Sequence, residues 1–580
     1  MHDLVIRQAT VVDGTGGAPA VGDVAVDGER VTVVGEVDGR GRRELDGDGL
    51  LLAPGWVDIH THYDGQATWD PEMTPSSWHG VTTVVMGNCG VGFAPVRPGA
   101  ESFLIELMEG VEDIPGTALA EGIDWRWESF AQYLDALAAT PRVLDVAAQV
   151  PHAAVRAYVM GDRAHDEASA DDIAAMASLT EAALAAGAAG FTTSRTILHR
   201  SRHGLVPGTS APPEELLAIG DAIGRAGHGV FEMVSDQAGT PTEQAWLVEL
   251  AGRTGGNVTY ALAQVGPDPT AYRTALAEAA ACRRAGVGIV PQVSSRPTGM
   301  LFGLRSSLHP FITHPTFREL AGRPAPATPA GGPSLGALVA RLGDPQVRAR
   351  LLAEEPATAN RVALTLMSRW DRIFRLGDPP DYEPSPDTSV AAVAARQGRR
   401  PEEVALDWLL ERQGEALLFA PLASYVDGDH EAIREMLCHP STVVGLSDGG
   451  AHCGLICDAS MPTYLLTHWV RDRDRGQRLP LELAVHLQTA RTAGVYGFHD
   501  RGVIAPGKRA DLNLIDLDSL RLHTPEMVFD LPAGGRRLVQ RVDGYRATVV
   551  AGQVTFEDGQ PTGARPGRLV RSGPSGRPTG

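Results

Sequence analysis

GWVDIHTHYDG, residues 55–65, sets two histidines one residue apart at the end of an apolar run. Val57 and Ile59 alternate with Asp58 and His60, and side chains along a β-strand point to opposite faces in turn. His60 and His62 therefore project the same way, close enough to grip one metal ion. An isolated pair of this kind is as readily a solvated strand end, so the surrounding chain has to decide its meaning.

Outward from this stretch, apolar strand candidates alternate with Ala-rich helical segments, the pattern of parallel α/β folds. Eight strands can be counted: 56–62, 82–88, 143–150, 190–194, 229–236, 257–264, 286–293 and 442–448. Helical stretches such as DDIAAMASLTEAALAAG and TALAEAAACRRAG lie between them, the latter with a glycine stop. The fold class expected is α/β, a (β/α)8 TIM-like barrel with its chemistry at the C-terminal ends of the strands.

Residues 1–53 and 501–565 share a different texture, short alternating runs broken by DG and GG pairs. One small β-sandwich domain built from both termini is the economical reading, around a barrel spanning 54–500. Between strands seven and eight, 297–441 is too long for a loop and holds helical segments. It is expected to be an inserted, mostly helical lid over the barrel mouth. The tail, 566–580, lacks apolar periodicity and is expected to be flexible.

A formal charge of −20 over 580 residues argues against nucleic acid or an anionic membrane as partner. Five scattered cysteines make no disulfide framework. No signal peptide and no apolar span are evident, so a cytoplasmic protein with a small-molecule substrate is expected, as a single chain or a homo-oligomer.

The strand ends then deliver a constellation. Strand one brings His60 and His62; strand two, Cys89 in GNCGVG; strand eight, Asp448 in GLSDGGAHCGLICD, followed by His452. Two imidazoles, a thiolate and a carboxylate suit a divalent ion such as zinc, with a position left for water. Candidate substrate contacts are His152 after strand three, Arg195 and His199 after strand four, Gln264 after strand six, Arg296 after strand seven, and His452. His309 and His314 fit a structural role in the lid, and Cys453 and Cys457 are read as structural.

APGWVDIHTHYDGQ, GVTTVVMGNCGVGFAPVRP, GLSDGG, GVIAPGKRADLNLIDLD and the late TGARPGRLVR together resemble the amidohydrolase superfamily, and within it the D-aminoacylase branch of N-acyl-D-amino-acid deacylases. The likeness spans nearly the whole chain and is weakest over 297–441. It implies a metal-dependent hydrolase of an amide or related C–N bond, with His60, His62 and Cys89 as metal ligands. It implies Asp448 as a further ligand and as the general base.

The family's strand-five and strand-six metal histidines fall here on Val234 and Leu262, and its arginine-bearing segment after the strand-eight aspartate is absent. The resemblance thus implies one ion per chain, zinc or another divalent metal, and altered substrate binding. The alternative is a barrel without a tightly held metal, serving as a binding protein, a lyase or an isomerase.

Overall fold

The computed structural model describes residues 1–266, 268–322 and 333–574. Eight parallel strands form the central sheet, in chain order: β1 (Trp56–Thr61), β2 (Val81–Met86), β3 (Asp145–Pro151), β4 (Gly190–Arg195), β5 (Val230–Ser235), β6 (Val258–Ala261), β7 (Ile289–Val293) and β8 (Val443–Val444). Each falls within or against one of the eight segments read from the sequence. The barrel closes where Thr61 bridges Gly449, the His62 amide donates to the Gly449 carbonyl (2.7 Å), and the Asp448 amide donates to the His60 carbonyl (3.1 Å).

Two local departures matter for the site. Pairing between β1 and β2 changes register between Asp58 and Thr61, a bulge inside the strand that carries the histidines. Val57 and Ile59 pack with Val85, Ala147, Val230 and Val443 of other strands and with Tyr496 and Phe498. Burying such side chains stabilises the fold by about 1.5–3 kcal/mol each. In β8, regular pairing covers only two residues, because Leu446 (φ 63°) and Asp448 (φ 49°) turn into the left-handed region.

A nine-stranded mixed sheet takes strands from both ends of the chain; Leu51–Pro54 pairs antiparallel with Leu512–Ile515, which pairs in turn with Tyr545–Val550. Its own core includes Leu4, Ile6, Val24, Leu52, Leu512 and Val549. The 297–441 segment carries helices and a separate core around Phe302, Phe317, Leu342, Ile373, Leu406 and Leu418. It also holds a three-stranded antiparallel sheet (Gly299–Phe302, Phe374–Arg375, Leu418–Pro421) that the sequence reading did not foresee, since its strands lie far apart in the chain.

The expected flexible tail needs correction. Leu569 and Val570 are buried, and the Val570 amide donates to the Val146 carbonyl (2.7 Å) at β3. Residues 575–580 lie outside the described residues. Among the described residues, no helix is long and apolar enough to cross a membrane.

Candidate metal centre

His60, His62, Cys89 and Asp448 meet at the mouth of the barrel. His60 Nε2 lies 3.4 Å from Cys89 Sγ and 3.4 Å from Asp448 Oδ1, and His62 Nε2 lies 3.6 Å from the same oxygen. Ligand atoms of His60, His62 and Cys89 all lie within 4.8 Å of one another, as a shared ion requires, and Asp448 stands beside both imidazoles. Cys89 (φ 57°), Asp448 (φ 49°) and His452 (φ 53°) all adopt left-handed backbone, and such strain concentrates at working sites.

The outward nitrogens of both imidazoles face acceptors. His60 Nδ1 lies 3.0 Å from Gln292 Oε1 on β7, whose amide nitrogen donates to Thr259 Oγ1 on β6 (3.0 Å). His62 Nδ1 faces Glu112 Oε1 at 3.5 Å. Acceptors on Nδ1 leave the Nε2 lone pairs for a metal and fix the ring planes. Yet both ring nitrogens of His62 and both carboxylate oxygens of Glu112 are buried without a hydrogen-bond partner. Leaving buried polar groups unsatisfied costs about 1–3 kcal/mol each, and a cation at His62 Nε2 relieves part of that cost.

Acidic groups crowd the same volume. Burial pushes the carboxyl groups of Asp58 and Asp64 up to about 7 and that of Glu232 up to about 8. Glu232 projects from β5 and accepts from the Cys89 amide (3.2 Å). Burial also raises the Cys89 thiol, helped by the surrounding carboxylates Glu112, Glu232 and Asp448. Asp448 behaves oppositely: against the effect of burial, its close contact with His62 (3.6 Å) and the nearby imidazoles of His60 and His452 hold its carboxyl well below the usual range. So many buried acids around two or three imidazoles match the charge of a divalent cation.

Two other candidates join the cluster. His452 Nε2 lies 3.5 Å from Glu112 Oε2 and 3.9 Å from Asp448 Oδ2. His199 is anchored by Ser194 Oγ at 2.8 Å, and burial, with the imidazoles of His452 and His62 nearby, lowers it to about 3. Arg296 is fully buried; it pairs with Asp458 Oδ1 (2.9 Å), lies 3.9 Å from the centre of the Tyr382 ring, and keeps Nε and Nη1 unpartnered.

Three expected substrate contacts are held by partners within the fold. His152 bonds Thr193 Oγ1 (2.8 Å) and Glu215 Oε1 (2.7 Å), so both ring nitrogens serve a buried network shared with Arg156. Arg195 bonds Glu243 (3.0 Å) and the Ala211 carbonyl (2.7 Å) and lies over the Trp246 ring. Gln264 bonds Asp427 (2.7 Å) and accepts from the Val426 amide (3.1 Å), tying β6 to the end of the insertion. Each is consumed by a partner distant in sequence. Conversely, Glu112, Glu232 and Gln292 surround the ligands and were not singled out from the sequence.

The Amidohydrolase family model matches residues 43–556. An N-acyl-D-aspartate deacylase of Alcaligenes xylosoxydans xylosoxydans is 29% identical over 98% of this chain and 95% of its own length. A D-aminoacylase structure, described by the functional role of its binuclear metal centre with one-metal activation and second-metal attenuation, superposes with a TM-score of 0.64 at 25% identity. That match covers 99% of this chain and all of that one. The fold also matches an N-acyl-D-glutamate deacylase of Bordetella bronchiseptica, complexed with zinc and a phosphonate inhibitor, with a TM-score of 0.63 and 24% identity over 98% of this chain and all of that one. The chain belongs to the amidohydrolase family and resembles its D-aminoacylase-like members.

Proposed function

We propose that this hydrolase cleaves an amide or related C–N bond of a small molecule with a single divalent ion, zinc by the chemistry of its donors, held by His60, His62, Cys89 and Asp448. The observation that carries this reading is the convergence of the His60, His62 and Cys89 donor atoms, with Asp448 beside both imidazoles, next to buried polar groups that have no hydrogen-bond partner. When bound, the ion polarises the scissile carbonyl and acidifies the attacking water. Asp448 takes the proton of that water and delivers it to the leaving nitrogen. Gln292 and Glu112 hold the two imidazoles in place, and His199, Arg296 and His452 contact the substrate.

One ion rather than two is favoured by the apolar replacements at the family's other ligand positions. Leu262 is buried in the main hydrophobic core and Val234 packs against it. The loop after Asp448 brings no arginine, so the substrate is expected to differ from a simple N-acyl-D-amino acid. Elemental analysis of protein purified without chelator should find about one equivalent of metal. Two equivalents would overturn the mononuclear reading, and none would favour a barrel used for binding, or for a lyase or isomerase reaction.

Glu112 provides a separate check on the metal ligands. Glu112→Gln removes the carboxylate facing His62 Nδ1 while keeping its size. Loss of such a supporting partner typically weakens metal affinity about 10–100-fold. Competition with a chromophoric chelator should show that loss; an unchanged affinity would mean that Glu112 does not position His62.

A further inference from the structure

At the opposite end of the barrel, where β6, β7 and β8 begin, a cavity of about 540 Å3 opens between Asn257, Gly288, Thr442 and the helix Ala490–Val495. Its volume lies in the range of small-molecule sites. This face of a (β/α)8 barrel is remote from the catalytic one, so the cavity is no extension of the metal centre. Two arginines line it. Arg283 Nη1 donates to the Pro440 carbonyl (2.5 Å) and Arg491 Nη2 to the His439 carbonyl (2.6 Å). These bonds to consecutive carbonyls hold the two guanidinium groups near each other.

Their surroundings lack the expected counter-charge. The chain has 71 acidic and 51 basic side chains, yet no Asp or Glu lines this cavity. Among the described residues, no ion pair forms at either arginine, and the nearby Glu435 is engaged by Tyr272 (2.6 Å) and Arg273 (3.0 Å). Burial and the neighbouring Arg283 lower Arg491 to about 10, as expected for like charges held together. Ser441 also lines the cavity, and its buried hydroxyl has no hydrogen-bond partner. Gly286 and Gly494 also line it, and a Cβ at either would meet nothing within 4 Å.

We propose that this cavity binds a small oxyanion, the phosphoryl group of a phosphomonoester or inorganic phosphate itself. Guanidinium forks match phosphate oxygens in geometry as well as charge, and the Ser441 hydroxyl supplies a further donor. An anion here neutralises two charges that the fold leaves uncompensated.

The test is calorimetric titration of the full-length holoenzyme with inorganic phosphate and, separately, glycerol 3-phosphate, with chloride keeping ionic strength constant. Wild type should show saturable binding, weakened at least about 10-fold in Arg283→Gln/Arg491→Gln. Arg283→Gln alone changes an exposed side chain and should give a smaller loss in the same direction, which guards against misfolding of the double variant. Tighter binding of glycerol 3-phosphate would assign the site to a phosphomonoester, and tighter binding of phosphate to the free ion. Heats no larger than those of chloride, or equal phosphate affinity in wild type and both variants, would overturn the proposal.

Discussion

Asp448→Asn should lower turnover about 10²–10⁴-fold, or roughly 3–5 kcal/mol of barrier, while leaving the fold intact. Asp448 stands where β8 meets β1, with its carboxylate beside His60 and His62 and only partly screened from solvent. Its carboxyl is held ionised by those imidazoles, as a proton acceptor requires. Asparagine preserves shape and one ligand oxygen but cannot take a proton from water. The closure of the barrel depends on the Asp448 amide, which the substitution keeps. Turnover is to be compared at matched metal content, because the same side chain is a proposed ligand. Activity within a few-fold of wild type would show that another group is the base. His452 is then the next to test, since its Nε2 lies 3.9 Å from Asp448 Oδ2.

Reading the sequence reached the barrel because each strand carries its own apolar run, a local signal that tertiary contacts did not override. It picked out His60, His62, Cys89 and Asp448, which the fold brings near one another, because strand ends are predictable and the family motifs fall on them. What it missed has identifiable physical causes. Glu112 closes the helix Glu101–Glu112 at i+4 from Met108 and i+8 from Leu104, both buried, so an acid sits in the core-facing stripe. That misplaced charge was a usable signal. Glu232, in the middle of the apolar strand VFEMVS, was another.

The bulge in β1 left no comparable trace. Alternation sets Ile59 and His60 on opposite faces, and Ile59 packs with Val57 and Val85 while His60 reaches the ligand cluster, but nothing in the run marks the register change between Asp58 and Thr61. For His152, Arg195 and Gln264 the sequence did not show their partners. Position at a strand end says nothing about whether Glu215, Glu243 or Asp427 arrives from elsewhere to occupy the side chain. Long-range pairing, the same feature that hid the small sheet in the insertion, decides such cases.

The second large effect concerns stability and lies where the insertion meets the barrel. Glu383→Gln should destabilise the protein by about 3–5 kcal/mol, the usual cost of breaking a buried ion pair on one side. Glu383 and Arg473 are both almost wholly buried and form two bonds, Oε1 to Nη2 at 3.0 Å and Oε2 to Nε at 3.1 Å. The carboxylate also accepts from the His430 amide (2.8 Å) and lies 2.8 Å from His468 Nε2. Glutamine keeps the volume but leaves Arg473 with only the half-exposed Glu431 as a charged partner (2.9 Å).

Burial alone would raise the Glu383 carboxyl; its bonds to His468 and Arg473 and the charge of His430 outweigh that and depress it well below the ordinary glutamate value. A depressed native pKa means that the stabilisation is fully present above the unfolded-state value of about 4.3, and is lost as pH falls from there toward the native one. Thermal midpoints of wild type and variant, taken at one fixed scan rate, should differ most near pH 7, and the gap should narrow progressively as pH falls from 5 to 3. A gap that stayed constant over that range would show that the effect comes from packing rather than from the charge of Glu383.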